Sequence, residues 1–301
     1  YRRLSHFLSI KPMPEFVSAS WIDSGVNIRG HQYPVVKMAW ASGKPLTRFI
    51  EINNPDPNRT NEIARRFLEL ATTIKRNGII HGDLQHGNVL IEDSLQLRLV
   101  DYDSVTIIGA NQPAPKEVGH PNYQHPERLA TGVWNEFADT FAGLVIYTSL
   151  RALAADPELI KYSKGENLVL HEDDLKASVL TPTWYRLSQN PAPEVRELTL
   201  CLRDWLRRPL DSVHADLESI MRTRTLPVPP ATHAPPAPVP TAFTRPSLHI
   251  PWTQSSSQPI PPIGSIPTDC GPPPQIHPSA QPSNKAQACC FQACRTPMTP
   301  G

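Results

Sequence analysis

Cysteine is scarce in this sequence. Five cysteines occur among 301 residues, and only Cys201 precedes the proline-rich segment at the end of the chain. A single cysteine in so long a stretch fits a reducing compartment such as the cytoplasm. The other four lie beyond residue 269 and lack the spacing of a zinc site, so they predict no metal centre.

Long apolar runs and an excess of basic charge are also missing. The most apolar stretch, residues 141–153, is shorter than a bilayer span and contains a threonine, a serine and an arginine. The formal net charge is only +1, and no basic stripe is visible. We therefore expect no membrane-spanning helix, and no nucleic acid as the main partner.

Charged residues almost disappear toward the end of the chain. From Leu226 onward the sequence holds 20 of its 35 prolines and only four charged residues. Such a segment cannot bury enough apolar surface to offset chain entropy, so we expect residues 225–301 to be a disordered tail. A linker is the favoured role for it, although its prolines also suit proline-motif binding domains as partners.

Apolar periodicity predicts the secondary structure of the remaining residues. Helices are predicted over residues 1–10, 56–77, 141–153 and 195–206. The second begins with a capping aspartate and a proline, Asp56 and Pro57. Strands are predicted over residues 16–22 and 33–40, joined by a hairpin region that contains Gly25 and Gly30.

One stretch combines polar residues with two short apolar runs. Residues 79–103 read IIHGDLQHGNVLIEDSLQLRLVDYD. The two runs, Val89–Ile91 and residues 95–100, are separated by a turn-forming Glu-Asp-Ser, which predicts a hairpin. The hairpin and the loop before it bring three oxygen-bearing side chains to one end: Asp83, Asn88 and Asp101.

These three side chains suit phosphoryl transfer from a nucleotide. A carboxylate has to accept or orient the proton of the attacking hydroxyl, and hard oxygen ligands have to hold magnesium on the phosphates. Asp83 suits the first role as the catalytic residue. Asn88 and Asp101 suit the second as metal ligands.

The same residues match the protein-kinase catalytic loop, H-x-D-L-x-x-x-N, followed by an aspartate at a strand end. The chain thereby resembles the protein-kinase-like superfamily in its bacterial variant HGDLxxGN, which is also similar to the aminoglycoside and choline phosphotransferases. The resemblance implies an α+β protein-kinase-like fold, with a truncated small-lobe sheet and hinge (1–44) and a mostly helical large lobe (45–224). It also implies ATP and Mg²⁺ as cofactors, and a protein as the substrate.

Residues 38–46 are similar to the kinase hinge, where a strand leaves the small lobe and offers its backbone to adenine. The resemblance assigns nucleotide contacts to Met38, Ala39 and Trp40, together with Leu90 of the hairpin. Lys37 looks like the phosphate-pairing lysine, but too few residues separate it from the catalytic loop. We therefore expect Lys37 to be a solvent-facing strand residue.

Further residues receive structural roles from the resemblance. Asp139 opens an apolar helix and is expected to cap the backbone of the catalytic loop. His81 opens that loop, and Tyr102 follows the metal-binding aspartate. Residues 119–127, GHPNYQHPE, are similar to the end of a kinase activation segment.

The last two structural residues, Glu127 and Arg208, are expected to form a partly buried ion pair. Arg207 is the alternative partner. The resemblance implies this pair because the activation segment of a kinase is joined to its last helices through an acid and an arginine.

Several expected parts are missing or changed. No G-x-G-x-x-G loop is present, and no acidic residue precedes Glu15, so we expect a fragment that is inactive by itself. Gln85 stands where Ser/Thr kinases have a lysine, and Gly82 stands where they have the arginine that reads a phosphorylated loop. His120 replaces a threonine and Asp103 a glycine, whereas the proton acceptor and both metal ligands are kept.

Three functions are compatible with these residues. A bacterial Ser/Thr-protein-kinase-like enzyme is favoured. A phosphotransferase of small molecules fits the loop, but the kinase-like stretch 119–127 speaks against it. A pseudokinase scaffold that binds partners through the tail is the third, and retention of the three oxygen-bearing side chains speaks against that function.

Overall fold

The computed structural model describes residues 1–110 and 114–227, so the predicted disorder of the tail falls almost entirely outside the described residues. Within them the α-helices are α1 (Arg2–Ile10), α2 (Leu46–Ile52), α3 (Pro57–Arg76), α4 (Pro126–Thr131), α5 (Ala138–Ala155), α6 (Glu172–Lys176), α7 (Pro182–Ser188), α8 (Pro193–Trp205) and α9 (Leu217–Thr223). The strands are β1 (Ala19–Ile28), β2 (His31–Met38), β3 (Lys44–Pro45), β4 (Ile79–Ile80), β5 (Val89–Ile91), β6 (Leu97–Leu99) and β7 (Thr106–Ile107). The α+β class predicted from the sequence is confirmed.

The first sheet is an antiparallel hairpin of β1 and β2. Its turn lies at Arg29 and Gly30, both with positive φ, as a two-residue hairpin turn of type I′ requires at both positions. The predicted turn region was too long, since β1 continues through Gly25 with one irregularity in the pairing between Ile22 and Val26. Lys37 is exposed on β2, as predicted.

A second sheet connects the segment after α1 to the predicted hairpin. Its strand order is β3-β5-β6, with both pairs antiparallel. Phe16 forms a parallel bridge with Leu99, and the Leu99 N–H donates to the Glu15 carbonyl at 2.7 Å. The hairpin over residues 89–100 is therefore confirmed, and the amino-terminal segment meets this sheet at β6.

The helical part is built around α5, which is buried along most of its length and packs against α3 and α8. Helix α3 begins where predicted, because the Asp56 side chain accepts from the Arg59 N–H at 2.7 Å. Its buried face consists of Thr60, Ile63, Ala64, Phe67, Leu70, Ala71 and Ile74. Helical periodicity alone predicts Ile63, Phe67, Leu70, Ala71 and Ile74 for this face, since a stripe of that spacing has to face a core.

Two buried histidines lie where the helical part meets residues 119–127. The His125 ring caps α4 by accepting from the Glu127 N–H, and it packs edge-on against Phe141. His86 lies beside the buried Tyr123, with its Nδ1 2.7 Å from the tyrosine oxygen. Burial lowers the pKa of both histidines, because the charged ring loses solvation.

No helix among residues 1–110 and 114–227 is both long enough and apolar enough to cross a bilayer.

We predict that these histidines make the protein sensitive to mild acid. A histidine whose folded pKa is depressed costs no stability above the ordinary value of about 6.5, and the cost grows as the pH falls below it. His125→Asn keeps a capping oxygen but does not titrate. Between pH 7.5 and 5.5, urea unfolding should therefore show a shallower loss of stability in this variant, by up to about 1.4 kcal/mol per pH unit.

The variant also removes ring contacts, which lowers stability equally at all pH values and does not alter the slope. His6→Asn is the control, because His6 is exposed. An unchanged slope in His125→Asn would show that His125 protonates as easily in the folded protein as in the unfolded chain.

Candidate active site

The loop between β4 and β5 is held by the first turn of α5. Asp139 accepts from the His81 N–H at 2.6 Å through Oδ2 and from the Gly82 N–H at 2.8 Å through Oδ1. Burial raises the pKa of Asp139, and the two N–H donors and the positive charge of Arg128 oppose that shift. The predicted capping contact of Asp139 with the loop backbone is therefore present in the structure.

Arg128 is a second anchor of the loop, and the sequence analysis did not identify it. Its side chain is 2% exposed, and its guanidinium donates to the Gly82 carbonyl at 2.9 Å and to Gln124 Oε1 at 2.8 Å. It also lies over the Trp134 ring, 4.9 Å from the centroid. The sequence contains one hint of this role. Position 82 is a glycine where Ser/Thr kinases have an arginine, so an arginine that contacts the loop has to come from elsewhere in the chain.

The backbone at Gly82 has no space for a side chain. Its φ is +82°, and a Cβ there would lie 2.7 Å from the Ser104 carbonyl oxygen and 2.9 Å from the Trp134 ring. Only glycine adopts this conformation readily and avoids both contacts. An arginine at this position is therefore excluded, and the guanidinium beside the loop is that of Arg128, which donates from α4 to the Gly82 carbonyl.

Asp83 is hydrogen-bonded at both carboxylate oxygens. Oδ1 accepts from the His120 N–H at 2.8 Å, and Oδ2 accepts from the side-chain amides of Gln85 and Asn88 at 3.2 Å each. The chain approaches so closely because residue 119 is glycine, whose Cβ would lie 2.9 Å from Oδ1. The carboxylate is thus held between its own loop and residues 119–120.

Asn88 is fixed by its amide nitrogen. Nδ2 donates to the Asp83 carbonyl at 2.9 Å as well as to the Asp83 carboxylate. Among the described residues, its Oδ1 oxygen has no part in these contacts with the loop. Asn88 therefore has an amide oxygen left for a ligand, while its nitrogen holds the loop together.

Two other acids act electrostatically on the carboxylate of Asp101. It has a positive φ of 62°, and its pKa is raised mainly by lost solvation and then by the negative charge of Asp103, with a smaller effect from Asp83. Asp101 and Asp83 therefore repel each other, but Asp103 contributes more to the raised pKa of Asp101. Such a site favours a cation, because a positive ion offsets the like charges.

The donor set fits magnesium. An amide oxygen from Asn88 and a carboxylate from Asp101 are the hard ligands that this ion prefers. In the described part of the chain, no three His, Cys, Asp or Glu side chains gather into a metal-binding group by themselves. The candidate set therefore depends on the asparagine and on oxygens that a bound phosphate would add.

The hinge residues lead from β2 to β3. Leu90 pairs with Pro45 across the second sheet, which places it beside the strand that follows the hinge. The Trp40 side chain is largely exposed, whereas the Ala39 N–H donates to the Ser18 carbonyl at 2.9 Å. The expectation that this backbone is open to adenine needs a correction at Ala39, because its N–H already donates to Ser18 of the same chain.

Tyr102 and His81 have structural contacts around the loop. The Tyr102 hydroxyl accepts from the Val17 N–H at 2.6 Å and lies 2.7 Å from the Leu99 carbonyl, to which it donates. The His81 ring is fully buried, with Nε2 3.0 Å from the Val100 carbonyl. The His81 ring thus joins the loop to the hairpin, and the Tyr102 hydroxyl joins the hairpin to the amino-terminal segment.

The predicted ion pair between Glu127 and Arg208 is wrong. Arg208 instead pairs with Asp204, which lies one helical turn earlier, and such a partner is reached at little entropic cost. Glu127 accepts from the Leu210 N–H at 2.6 Å. Among the described residues Arg207 forms no ion pair with Glu127 either, so the two segments are joined by a carboxylate and a backbone N–H.

We predict that Asp139→Ala destabilises the fold by about 3–5 kcal/mol, because it leaves two N–H groups unbonded and the buried Arg128 charge uncompensated. Urea unfolding at pH 7.5 measures the loss. Asp211→Ala is the control, since Asp211 is exposed and should change stability by less than about 0.5 kcal/mol. Equal stability of the two variants would show that the contacts of Asp139 contribute nothing.

Comparisons with known proteins agree with this geometry. Residues 26–195 match the protein kinase domain family. The interferon-induced, double-stranded RNA-activated protein kinase of Rattus norvegicus is 24% identical over 179 residues, which cover 56% of this chain and 35% of that protein. The DNA damage-responsive serine/threonine-protein kinase RqkA of Deinococcus radiodurans is 27% identical over 183 residues, covering 59% of this chain and 25% of the relative.

A third relative covers a shorter stretch. The liver/testis phosphorylase b kinase gamma catalytic chain of Mus musculus is 30% identical over 98 residues, covering 30% of this chain and 24% of that protein. The chain thus spans about a third or less of the length of each of these relatives. More than half of the chain matches one family, and its α+β architecture is protein-kinase-like. This chain belongs to the protein kinase domain family.

Proposed function

We propose that this chain is the catalytic part of an ATP-dependent phosphotransferase of the bacterial Ser/Thr protein kinase type. In this proposal Asp83 accepts the proton of the attacking hydroxyl, and Asn88 and Asp101 are the magnesium ligands. Magnesium, when bound, neutralises charge on the phosphates. A hydroxyl-bearing protein side chain is the acceptor, which agrees with the fact that the relatives in rat and Deinococcus radiodurans are protein kinases.

The observation that carries the proposal is the fixed relation between Asp83 and Asn88. One amide nitrogen of Asn88 contacts both the carbonyl and the carboxylate of Asp83. A proton acceptor and a metal ligand are thereby held by the same hydrogen bonds. Such preorganisation is what phosphoryl transfer requires, since positioning and electrostatics supply most of its rate.

Asp83 is suited to orient a hydroxyl because its own position is restricted. Three donors from Gln85, Asn88 and His120 hold the carboxylate. A carboxylate fixed in this way can accept a hydrogen bond from the acceptor hydroxyl in a defined geometry.

Positive charge near the transferring group has to come from another residue, since position 85 holds a glutamine. The Gln85 amide contacts Asp83 at 3.2 Å as a neutral donor. The guanidinium of the buried Arg128 acts on Asp83 electrostatically, although its hydrogen bonds go elsewhere. The arrangement favours a carboxylate that positions the acceptor, with less stabilisation of phosphoryl charge than a lysine would give.

For the nucleotide base we propose a place between the hinge, residues 38–40, and Leu90. Leu90 is partly exposed on β5 and pairs with Pro45 of the strand that follows the hinge. The backbone groups of Met38 and Trp40 are the candidates for contacts with adenine.

Two substitutions separate the proposed roles in the intact protein. Asp101→Asn should remove magnesium-dependent ATP binding, because it removes a charged ligand of the metal. Asp83→Asn should leave that binding nearly unchanged and lower kcat about 10²- to 10⁴-fold, because it affects the acceptor hydroxyl. Calorimetric titration with ATP and MgCl₂, alongside a phosphate-transfer assay, measures both effects.

Asp93→Asn is the control for loss of one negative charge, since Asp93 is exposed on the hairpin turn and should change neither binding nor turnover. Equal loss of binding in Asp83→Asn and Asp101→Asn would place Asp83 on the metal instead. Unchanged turnover in Asp83→Asn would remove it from catalysis and favour a scaffold function.

A further inference from the structure

A groove of about 480 Å³ opens where α4, α6, α7 and α8 meet. Its floor and sides are apolar, from Pro126, Leu175, Leu206 and the buried Trp184. Two exposed apolar residues, Val179 and Leu180, follow α6 in the chain beside this groove. Apolar surface of this kind, rimmed by polar groups, is typical of a binding site for another chain.

The rim of the groove carries positive charge. Lys176, Arg203 and Arg207 line it, and the lining includes no acidic side chain. Lys176 is paired with Glu172, but the guanidinium groups of Arg203 and Arg207 have no partner among the described residues. Two unpaired arginines beside an apolar surface attract carboxylates, which arginine binds with good geometry.

The groove is joined to the candidate active site by a short stretch of chain. The backbone of His120 donates to Asp83, and Pro126 lines the groove. Six residue steps span at most about 22 Å, and the 3₁₀ turn at Pro121–Tyr123 makes the actual span shorter, so an extended peptide of six or fewer residues reaches from Asp83 to the groove. A segment that presents its hydroxyl to Asp83 can therefore place residues within about six positions of that hydroxyl in this groove.

We propose that the groove binds an acidic segment of the protein substrate, within about six residues of the phosphate-accepting serine or threonine. Carboxylates of that segment pair with Arg203 and Arg207, and its apolar side chains contact Leu175 and Leu206. This inference rests on the proposed function, because it assumes that a hydroxyl is presented to Asp83. It adds a class of substrate, one with clustered Asp or Glu residues near the acceptor.

The test measures peptide binding directly and needs no turnover. A fluorescein-labelled peptide with a serine and a run of glutamates about six residues away is titrated with the 301-residue chain, with fluorescence anisotropy as the readout. A second peptide places the glutamates on the other side of the serine, and a third has glutamine in place of every glutamate. We expect a glutamate peptide to bind, with affinity that weakens as salt is raised, and the glutamine peptide to bind far less.

Substitutions locate the binding surface. The double variant Arg203→Gln and Arg207→Gln should weaken binding of the glutamate peptide about tenfold. Arg222→Gln is the matched control, because Arg222 is exposed on α9 away from the groove lining and should leave the affinity unchanged. Equal affinity of the double variant and the unaltered chain would overturn the proposal.

A competition experiment separates a peptide site from a general polyanion surface. Single-stranded RNA that binds as tightly as the peptide, and loses as much affinity in the double variant, would overturn the assignment to a protein substrate. Failure of all peptides, with ATP and Mg²⁺ still bound by the intact protein, would overturn this inference and leave the proposed function standing. Peptide binding at the arginines without nucleotide binding would support the groove and contradict the proposed function.

Discussion

The carboxylate of Asp139 is the constraint on which the site depends. It extends from the first turn of a buried helix and accepts hydrogen bonds from two N–H groups at the start of the loop between β4 and β5. Because α5 is fixed by packing against α3 and α8, the loop inherits its position from the helical core. Asp83 follows Gly82 directly, so the proposed proton acceptor is held by a contact made one and two residues earlier.

A second constraint enters from α4. Arg128 donates to the Gly82 carbonyl, and Asp139 accepts from the Gly82 N–H. The backbone N–H and C=O of Gly82 are therefore both bound by buried charged side chains. The position has no space for a side chain, and the charge that an arginine at 82 would carry comes from another element. This contact between α4 and the loop joins a side chain to a backbone carbonyl, so it does not depend on a phosphorylated residue.

The candidate site also contains an unfavourable interaction, which lowers the stability of the folded protein and which a bound cation can offset. Lost solvation and Asp103 raise the pKa of Asp101, and an acid held in that way destabilises the folded protein at neutral pH. A cation beside Asn88 and Asp101 would reverse that effect. Functional sites often contain charges that are placed to bind a ligand. Such charges lower the stability of the protein when no ligand is bound.

Local pattern determined much of this protein. The cap at Asp56, the buried stripe of α3, the β5–β6 hairpin and the HGD loop were all readable because each depends on residues close together in the chain. The order of motifs then identified the α+β class and the three oxygen-bearing side chains.

Only the tertiary structure decided the long-range partners: Glu127 binds the Leu210 N–H, and Arg128 anchors the loop. Sequence spacing gives no distance between side chains far apart in the chain, and a nearby partner such as Asp204 for Arg208 competes with a distant one at lower entropic cost.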